Sequence, residues 1–269
     1  MKLIPTDREF SIKGFCTAFR FEFDERFVFN GESHEMWEIV FLTSGNVEVT
    51  ENKAIYKVKK NELIIHAPYE FHRIRSTDGT TPSGYILSFI ADGALPAELR
   101  EGIFTLDEGR AAEYEQICLS AISFISSVEG SCDRFAGQEL ADRLSAFLLT
   151  LRHGGASVSD VSRTPSAVCY RRAVTAMTDG AYRNLSLSEI AANCYISVSY
   201  LKLLFRKYAG ISPKEYYTTL RVNRAAKLIR EGYSLSEVVD MMNFSSPAYF
   251  SAFFKKHTGS TPSEYAKRN

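Results

Sequence analysis

The chain has no long hydrophobic run. Its 269 residues are 45% hydrophobic, yet no stretch is apolar enough over the roughly 20 residues that a bilayer core requires. The start, Met1-Lys2-Leu3-Ile4-Pro5, leads directly into charged residues and lacks a secretory pattern. Cysteine is scarce: Cys16, Cys118, Cys132, Cys169 and Cys194 are scattered, odd in number and without a Cys-x-x-Cys pair. That excludes a disulfide framework and a cysteine zinc site and suits reduced thiols, so a cytoplasmic protein without a membrane partner is expected. Cys16 is either a thiol sensor or a buried structural residue. Net charge is also absent, with 32 basic and 32 acidic residues. The zero hides an asymmetry: residues 166–269 hold 15 Lys+Arg and 7 Asp+Glu, and the remainder holds 17 and 25. A basic segment beside an acidic one points to a polyanionic partner for the first.

What the basic segment contains is a repeat. Ser186-Leu187-Ser188-Glu189 recurs unchanged as Ser234-Leu235-Ser236-Glu237, 48 residues on. Phe205, Lys207, Gly210, Pro213, Glu215 and Tyr216 recur as Phe254, Lys256, Gly259, Pro262, Glu264 and Tyr265, 49 residues on. The one-residue drift is expected in a turn. Each copy opens on a Ser-x-x-Glu capping box, followed by a short helix over 187–192 or 235–241. A polar break follows, Asn193 to Ser197 or Asn243 to Ser246. A second helix starts at Ser197 or Ser246, with Pro247 suited to a first helical position. Leu201, Leu204, Phe205 and Tyr208 form an inward stripe, matched by Phe250, Phe253, Phe254 and His257. Gly210 and Gly259 end these helices. Ser212-Pro213-x-Glu215 and Thr261-Pro262-x-Glu264 then cap another helix. This is the grammar of a duplicated helix-turn-helix, a DNA-reading unit; an array of helical hairpins for protein contact is the alternative.

On the stretches LSLSEIAANCYISVSYLKLLFRKYAGISPKEYYTTLRVNRAAKLI and YSLSEVVDMMNFSSPAYFSAFFKKHTGSTPSEY, residues 167–269 resemble the DNA-binding domain of AraC/XylS-type transcription regulators. The resemblance implies seven helices and two helix-turn-helix motifs joined by a helix over 213–230, with Leu220, Ala225, Ala226, Leu228 and Ile229 inward. It also implies base contact at Ser199, Lys202 and Leu203. Lys202 can donate to guanine O6 or N7, and Leu203 either meets a thymine methyl or packs. Facing away from the stripe, Val198 and Arg206 join them in copy one, and Pro247, Ala248, Ser251, Ala252 and Lys255 are the outward positions in copy two. Many family members carry Arg where Ala252 stands. Copy one is therefore expected to supply the specificity, with copy two docking on phosphates through Lys255 and Lys256. Ser186 and Ser234 start helices whose N–H groups can meet phosphate. Arg221 is expected to be a phosphate clamp, and Arg224 either that or a surface ion pair.

The first part of the chain reads as strands: Cys16–Phe23, Met36–Leu42, Val47–Thr50, Ala54–Val58, Glu62–His66 and Tyr85–Ile90. Turns are expected at Ser44-Gly45, Glu51-Asn52-Lys53 and Asp78-Gly79. Two helices follow, one with Ala111, Tyr114, Ile117, Ala121, Phe124, Ile125 and Val128, the other with Leu140, Leu144, Phe147, Leu148 and Leu151. The stretch HEMWEIVFLTSGNVEVTENKAIYKVKKNELIIHAPYEFHRI resembles the cupin-like sensor domain of the same family, which implies a small-molecule effector inside the barrel. Alternation puts His34, Met36, Glu38 and Val40 on one strand face and Trp37, Ile39 and Phe41 on the other. His34, Glu38 and His72 are the candidate polar end of the pocket, and Trp37 and Tyr69 candidate walls. His66 precedes a turn and is expected to be structural. Metal-binding cupins carry His-x-His, a Glu and a later His. Here that stretch is His34-Glu35-Met36, so neither a metal nor any other cofactor is expected.

The fold class is thus α+β in two domains: a cupin-like barrel or sandwich with two following helices over 1–152, a Gly/Ser-rich linker over 153–166, and an all-α domain over 167–269. The function expected is sequence-specific, effector-controlled transcription regulation, not enzymatic. Its partners are duplex DNA, a small-molecule effector, a second copy bound through 110–152 and, for an activator, RNA polymerase. The alternatives are a cupin metalloenzyme with a DNA-binding tail and a DNA-binding protein without ligand control.

Overall fold

The computed structural model describes residues 8–93, 95–99, 102–127, 134–151 and 164–267. They fall into two compact units, Met1–Ser162 and Arg163–Asn269, and the class is α+β. Val128, Cys132 and the expected linker residues up to 163 lie outside the described residues. Helix formation begins at Pro165, capped by the Thr164 hydroxyl, so residues 165 and 166 belong to a helix rather than to the linker.

Among the described residues the first unit holds eight strands: β1 (Phe10–Glu22), β2 (Trp37–Ser44), β3 (Asn46–Glu51), β4 (Ala54–Lys59), β5 (Glu62–His66), β6 (His72–Ser76), β7 (Ser83–Gly93) and β8 (Ile103–Thr105). A five-stranded sheet runs β1-β7-β2-β5-β8 and a three-stranded sheet β4-β3-β6. The expected turns appear as left-handed backbone at Gly45, Asn52, Asp78 and Gly79. β6 and β8 were not anticipated: His72-Arg73-Ile74-Arg75 is too charged to read as a strand, and Ile103–Thr105 is too short. Val40, Leu42, Ile64 and Ile86 from the larger sheet meet Val47, Val49, Val58 and Ile74 from the smaller one.

The outer face of the larger sheet carries Trp37, Ile39, Phe41, Leu63, Ile65, Leu87 and Phe89. Helices α1 (Glu108–Ser127) and α2 (Arg134–Leu151) cover it. Their stripes, Tyr114, Ile117, Cys118 and Ala121 with Leu140, Leu144, Phe147 and Leu148, are core residues of their own unit. Tyr114 sits between Phe41 and Phe147 at ring distances of 5.4 and 5.1 Å. Burial pushes the Cys118 thiol up to about 12. Cys16 is half-buried and its thiol is also raised, which counts against a reactive sensor.

The second unit is all helical: α3 (Pro165–Asp179), α4 (Leu187–Asn193), α5 (Val198–Tyr208), α6 (Pro213–Arg230), α7 (Leu235–Met241), α8 (Pro247–Thr258) and α9 (Pro262–Ala266). Every one begins on a Ser or Thr whose hydroxyl accepts an N–H of the first turn. Helices this short are marginal alone, so the caps and the stripe Leu201, Leu204, Phe205 and Tyr208 against Tyr170 and Tyr216 hold them.

Leu144 is fully buried between the two layers of the first unit. Leu144→Ala is expected to cost about 2–5 kcal/mol in denaturant unfolding. A loss below 1 kcal/mol would show that α2 does not pack as described.

Candidate functional site

Two regions gather functional side chains. The first is a cavity of about 410 Å³ between the sheets, with a phenylalanine-rich wall that includes Phe19, Phe23, Phe27 and Phe29, and a polar end of Glu32, His34, Glu38 and His72. Strand pairing builds the polar end. Glu38 on β2 lies opposite His66 on β5, and Glu51 on β3 opposite His72 on β6. Glu32 joins through a backbone bridge to His72, each N–H donating to the other's carbonyl at 3.0 Å. Gly31 delivers it in a left-handed conformation (φ +91°), where a Cβ would lie 2.5 Å from the Phe71 ring.

His66 is fully buried, its Nδ1 2.8 Å from Glu51 Oε1, and it stacks on His72 at 4.3 Å. Burial and the neighbouring His72 hold it well below its usual range, so it is neutral. His72 Nε2 is 3.3 Å from Glu38 Oε1, and His34 Nε2 is 3.5 Å from Glu38 Oε2. Burial opposes ionisation of Glu38, but contacts from His34 and His72 outweigh it and hold its carboxyl far below the usual range. His34 is also desolvated, yet Glu38 and Glu32 raise it. Glu70, by burial and by Glu51, is pushed up to about 8 and is protonated at neutral pH.

The structure therefore brings His34, Glu38 and His72 together. It does not bring Trp37 or Tyr69 to the cavity wall. Trp37 points to the opposite face of β2, edge-on to Phe10 at 6.5 Å, as period-two alternation requires. Tyr69 sits in a left-handed turn, its N–H donating to the His34 carbonyl at 2.6 Å. Sequence reasoning missed Glu32, because its partner strand lies 40 residues away.

The second region is the pair of helix-turn-helix motifs. Reciprocal capping boxes form at Ser186/Glu189, Ser234/Glu237 and Thr261/Glu264; Ser212 caps from the Glu215 N–H. The repeat extends to the backbone. Tyr195 and Asn243, 48 apart, are both left-handed, and the next N–H in each copy, Ile196 or Phe244, donates five residues back, to Ala191 or Val239. The extra residue is Ser245, just before the Ser246 cap.

On α5, Ser199, Lys202, Leu203 and Arg206 are exposed, Leu203 at 60%. On α8, Ala248, Ala252, Lys255 and Lys256 are exposed and Ser251 is half-buried; Phe253 is half-buried and His257 exposed, so the second inward stripe is looser than expected. Ser186 and Ser234 are exposed at their helix starts. Arg221 corrects the expectation of a phosphate clamp. It is 6% exposed, donates to Asn184 Oδ1 at 3.1 Å and to the Met242 carbonyl at 2.6 Å, and lies 4.3 Å over the Phe244 ring. Arg224 stacks on Tyr182 at 4.5 Å.

Residues 190–268 match the family model described as a helix-turn-helix domain. The C-terminal unit is an AraC-type helix-turn-helix domain. Bacillus subtilis YesN, an uncharacterized transcriptional regulatory protein, is 31% identical over 163 residues, 56% of this chain and 44% of its own. The Salmonella typhimurium transcriptional regulator SirC is 38% identical over 88 residues, 32% of this chain and 29% of its own. The chain thus spans less than half the length of these curated relatives. Among solved structures, ToxT from Vibrio cholerae O395 is 15% identical with 96% of this chain and 97% of that chain covered, at a TM-score of 0.38. The DNA-binding domain of AdpA in complex with a target DNA is 27% identical, covering 36% of this chain and 87% of that chain, at 0.34. At such scores neither carries geometry over. Among the described residues no helix is long and apolar enough to cross a membrane.

The burial of Arg221 in the AraC-type domain makes it structural. Arg221→Gln is expected to cost about 1–3 kcal/mol by orphaning buried acceptors, while Lys202→Ala stays within about 0.5 kcal/mol of the parent. Equal melting temperatures for the two variants would return Arg221 to the surface.

Proposed function

We propose that this chain is a transcription regulator that binds duplex DNA sequence-specifically through its AraC-type domain and answers to a small molecule in its N-terminal barrel. One observation carries it: a duplicated, capped helix-turn-helix in a basic unit leaves the outer faces of α5 and α8 exposed. Ser199, Lys202, Leu203 and Arg206 read bases and backbone. Ala248, Ser251 and Ala252 give α8 little to donate, so Lys255 and Lys256 anchor it on phosphates. The N–H groups at Ser186 and Ser234 approach phosphates at the helix starts. His34, Glu38 and His72 bind the effector at the polar end of an apolar cavity, the usual make-up of such a site. An effector with equal affinity for both functional states would shift nothing, so it must discriminate between them. The regulator acts in the cytoplasm, without enzymatic activity, and touches RNA polymerase where it activates.

On this reading the barrel and its helices, about 1–152, form the sensing and dimerisation domain. The stripes of α1 and α2 are committed to their own core, so a dimer must use the outer face, where Leu119 is 43% and Phe135 81% exposed. Phe135→Asp is expected to convert a full-length dimer to monomer in sedimentation velocity at micromolar concentration. A monomeric parent protein would discard the dimer.

DNA binding is tested on the full chain with its own upstream region. Affinity should fall steeply with salt and the footprint span roughly two helical turns on one face. Lys202→Ala should cost about 1–3 kcal/mol on the specific site and flatten base preference, whereas Lys255→Ala should weaken all sequences alike. The reverse pattern would exchange the roles of α5 and α8. Salt-independent or absent binding would sink the regulator reading.

A further inference from the structure

We propose that the polar end of the barrel cavity binds one divalent transition-metal ion through Glu32, His34, Glu38 and His72. Each residue offers one donor atom, and the four atoms lie within 4.8 Å of one another. Two donors held about 2.1 Å from one tetrahedral ion sit about 3.4 Å apart and at most about 4.2 Å. The separations His72 Nε2–Glu38 Oε1, His34 Nε2–Glu38 Oε2 and His72 Nε2–Glu32 Oε1 are 3.3, 3.5 and 3.9 Å. These three separations match one shared ion, and the widest of the four-atom spread, up to 4.8 Å, must draw in when the ion binds.

The imidazoles are oriented as ligands. His34 Nδ1 lies 3.2 Å from the Met36 carbonyl and His72 Nδ1 3.2 Å from the Glu70 carbonyl. A carbonyl only accepts, so each ring carries its proton on Nδ1 and turns Nε2 toward the carboxylates. A backbone carbonyl behind each ring is the usual support of a metal-bound histidine. Both Nε2 atoms are buried with no hydrogen-bond partner among the described residues, and the His72 side chain is 1% exposed. A bound cation would satisfy both Nε2 atoms and both carboxylates at once. Mixed imidazole and carboxylate donors suit a first-row ion such as zinc, cobalt or nickel. The wall beyond is mainly phenylalanine, with Thr17 and Met36 as its other heteroatom-bearing side chains. The fourth ligand is the Glu32 that sequence spacing could not see.

The site deepens the sensor reading and takes its regulatory meaning from it, so metal uptake and DNA affinity are measured separately. Full-length protein, stripped with chelator, is titrated with Co²⁺ and Zn²⁺. We expect one equivalent per chain, a rise in the melting temperature with metal, and visible Co²⁺ absorption of a tetrahedral N/O site. Glu32→Gln, whose side chain is half-exposed, should fold normally and lose at least tenfold in metal affinity. His34→Gln/His72→Gln should lose metal binding while keeping the far-ultraviolet circular dichroism of the stripped parent protein. No uptake by the parent protein, or stoichiometric uptake that survives in His34→Gln/His72→Gln, would overturn the site. Retained uptake with no DNA binding by the parent would instead leave the metal site standing and remove the regulator reading.

Discussion

The two-sided burial of β2 is the constraint on which the first unit rests. Trp37, Ile39 and Phe41 face the helices, and Glu38 and Val40 face the cavity side. Side chains alternate with a period of two, so a one-residue slip would place Glu38 in the helix-packed core and Ile39 among the histidines. Burying an unpaired carboxylate against Tyr114 and Phe147 would be prohibitive. One strand register therefore fixes both the hydrophobic core and the polar end of the cavity. The pairings Glu38 with His66 and Glu51 with His72 then bring polar side chains of four strands to one place.

The helical unit obeys a different constraint. Its helices run from 5 to 18 residues, and each is started by a hydroxyl cap. Because caps are local and chemically specific, they were legible in the sequence: Ser186, Ser197, Ser212, Ser234, Ser246 and Thr261 stand where the structure starts helices. The family resemblance, and not local pattern, gave the linking helix its bounds of 213–230, and α6 spans Pro213–Arg230. The register drift was legible as a number, and the structure assigns it to Ser245.

What was not legible is what depends on partners far along the chain. Arg221 looks like any outward basic residue on a linking helix until Asn184 and Met242 arrive from either side. Glu32 looks like a loop acid until β6 pairs with it. Trp37 shares a segment with the cavity residues, and alternation did place it on the opposite face; choosing it as a wall residue ignored that parity. β6 was missed because its two arginines, Arg73 and Arg75, mask a strand whose alternate residues, His72 and Ile74, face the cavity.

The buried Arg221 joins the loop before α4 to the end of α7 and the turn before α8. A single guanidinium thus acts as a spacer bar between the two reading heads, which makes the domain a caliper of fixed opening. Inserting one base pair between the two contacted grooves turns one of them by about 35° relative to the other. A flexible tether between heads would absorb that rotation; a caliper held by two charge-assisted hydrogen bonds and a stacked ring cannot. On the proposed two-groove reading, operator spacing, and not only operator sequence, is therefore part of what this domain recognises.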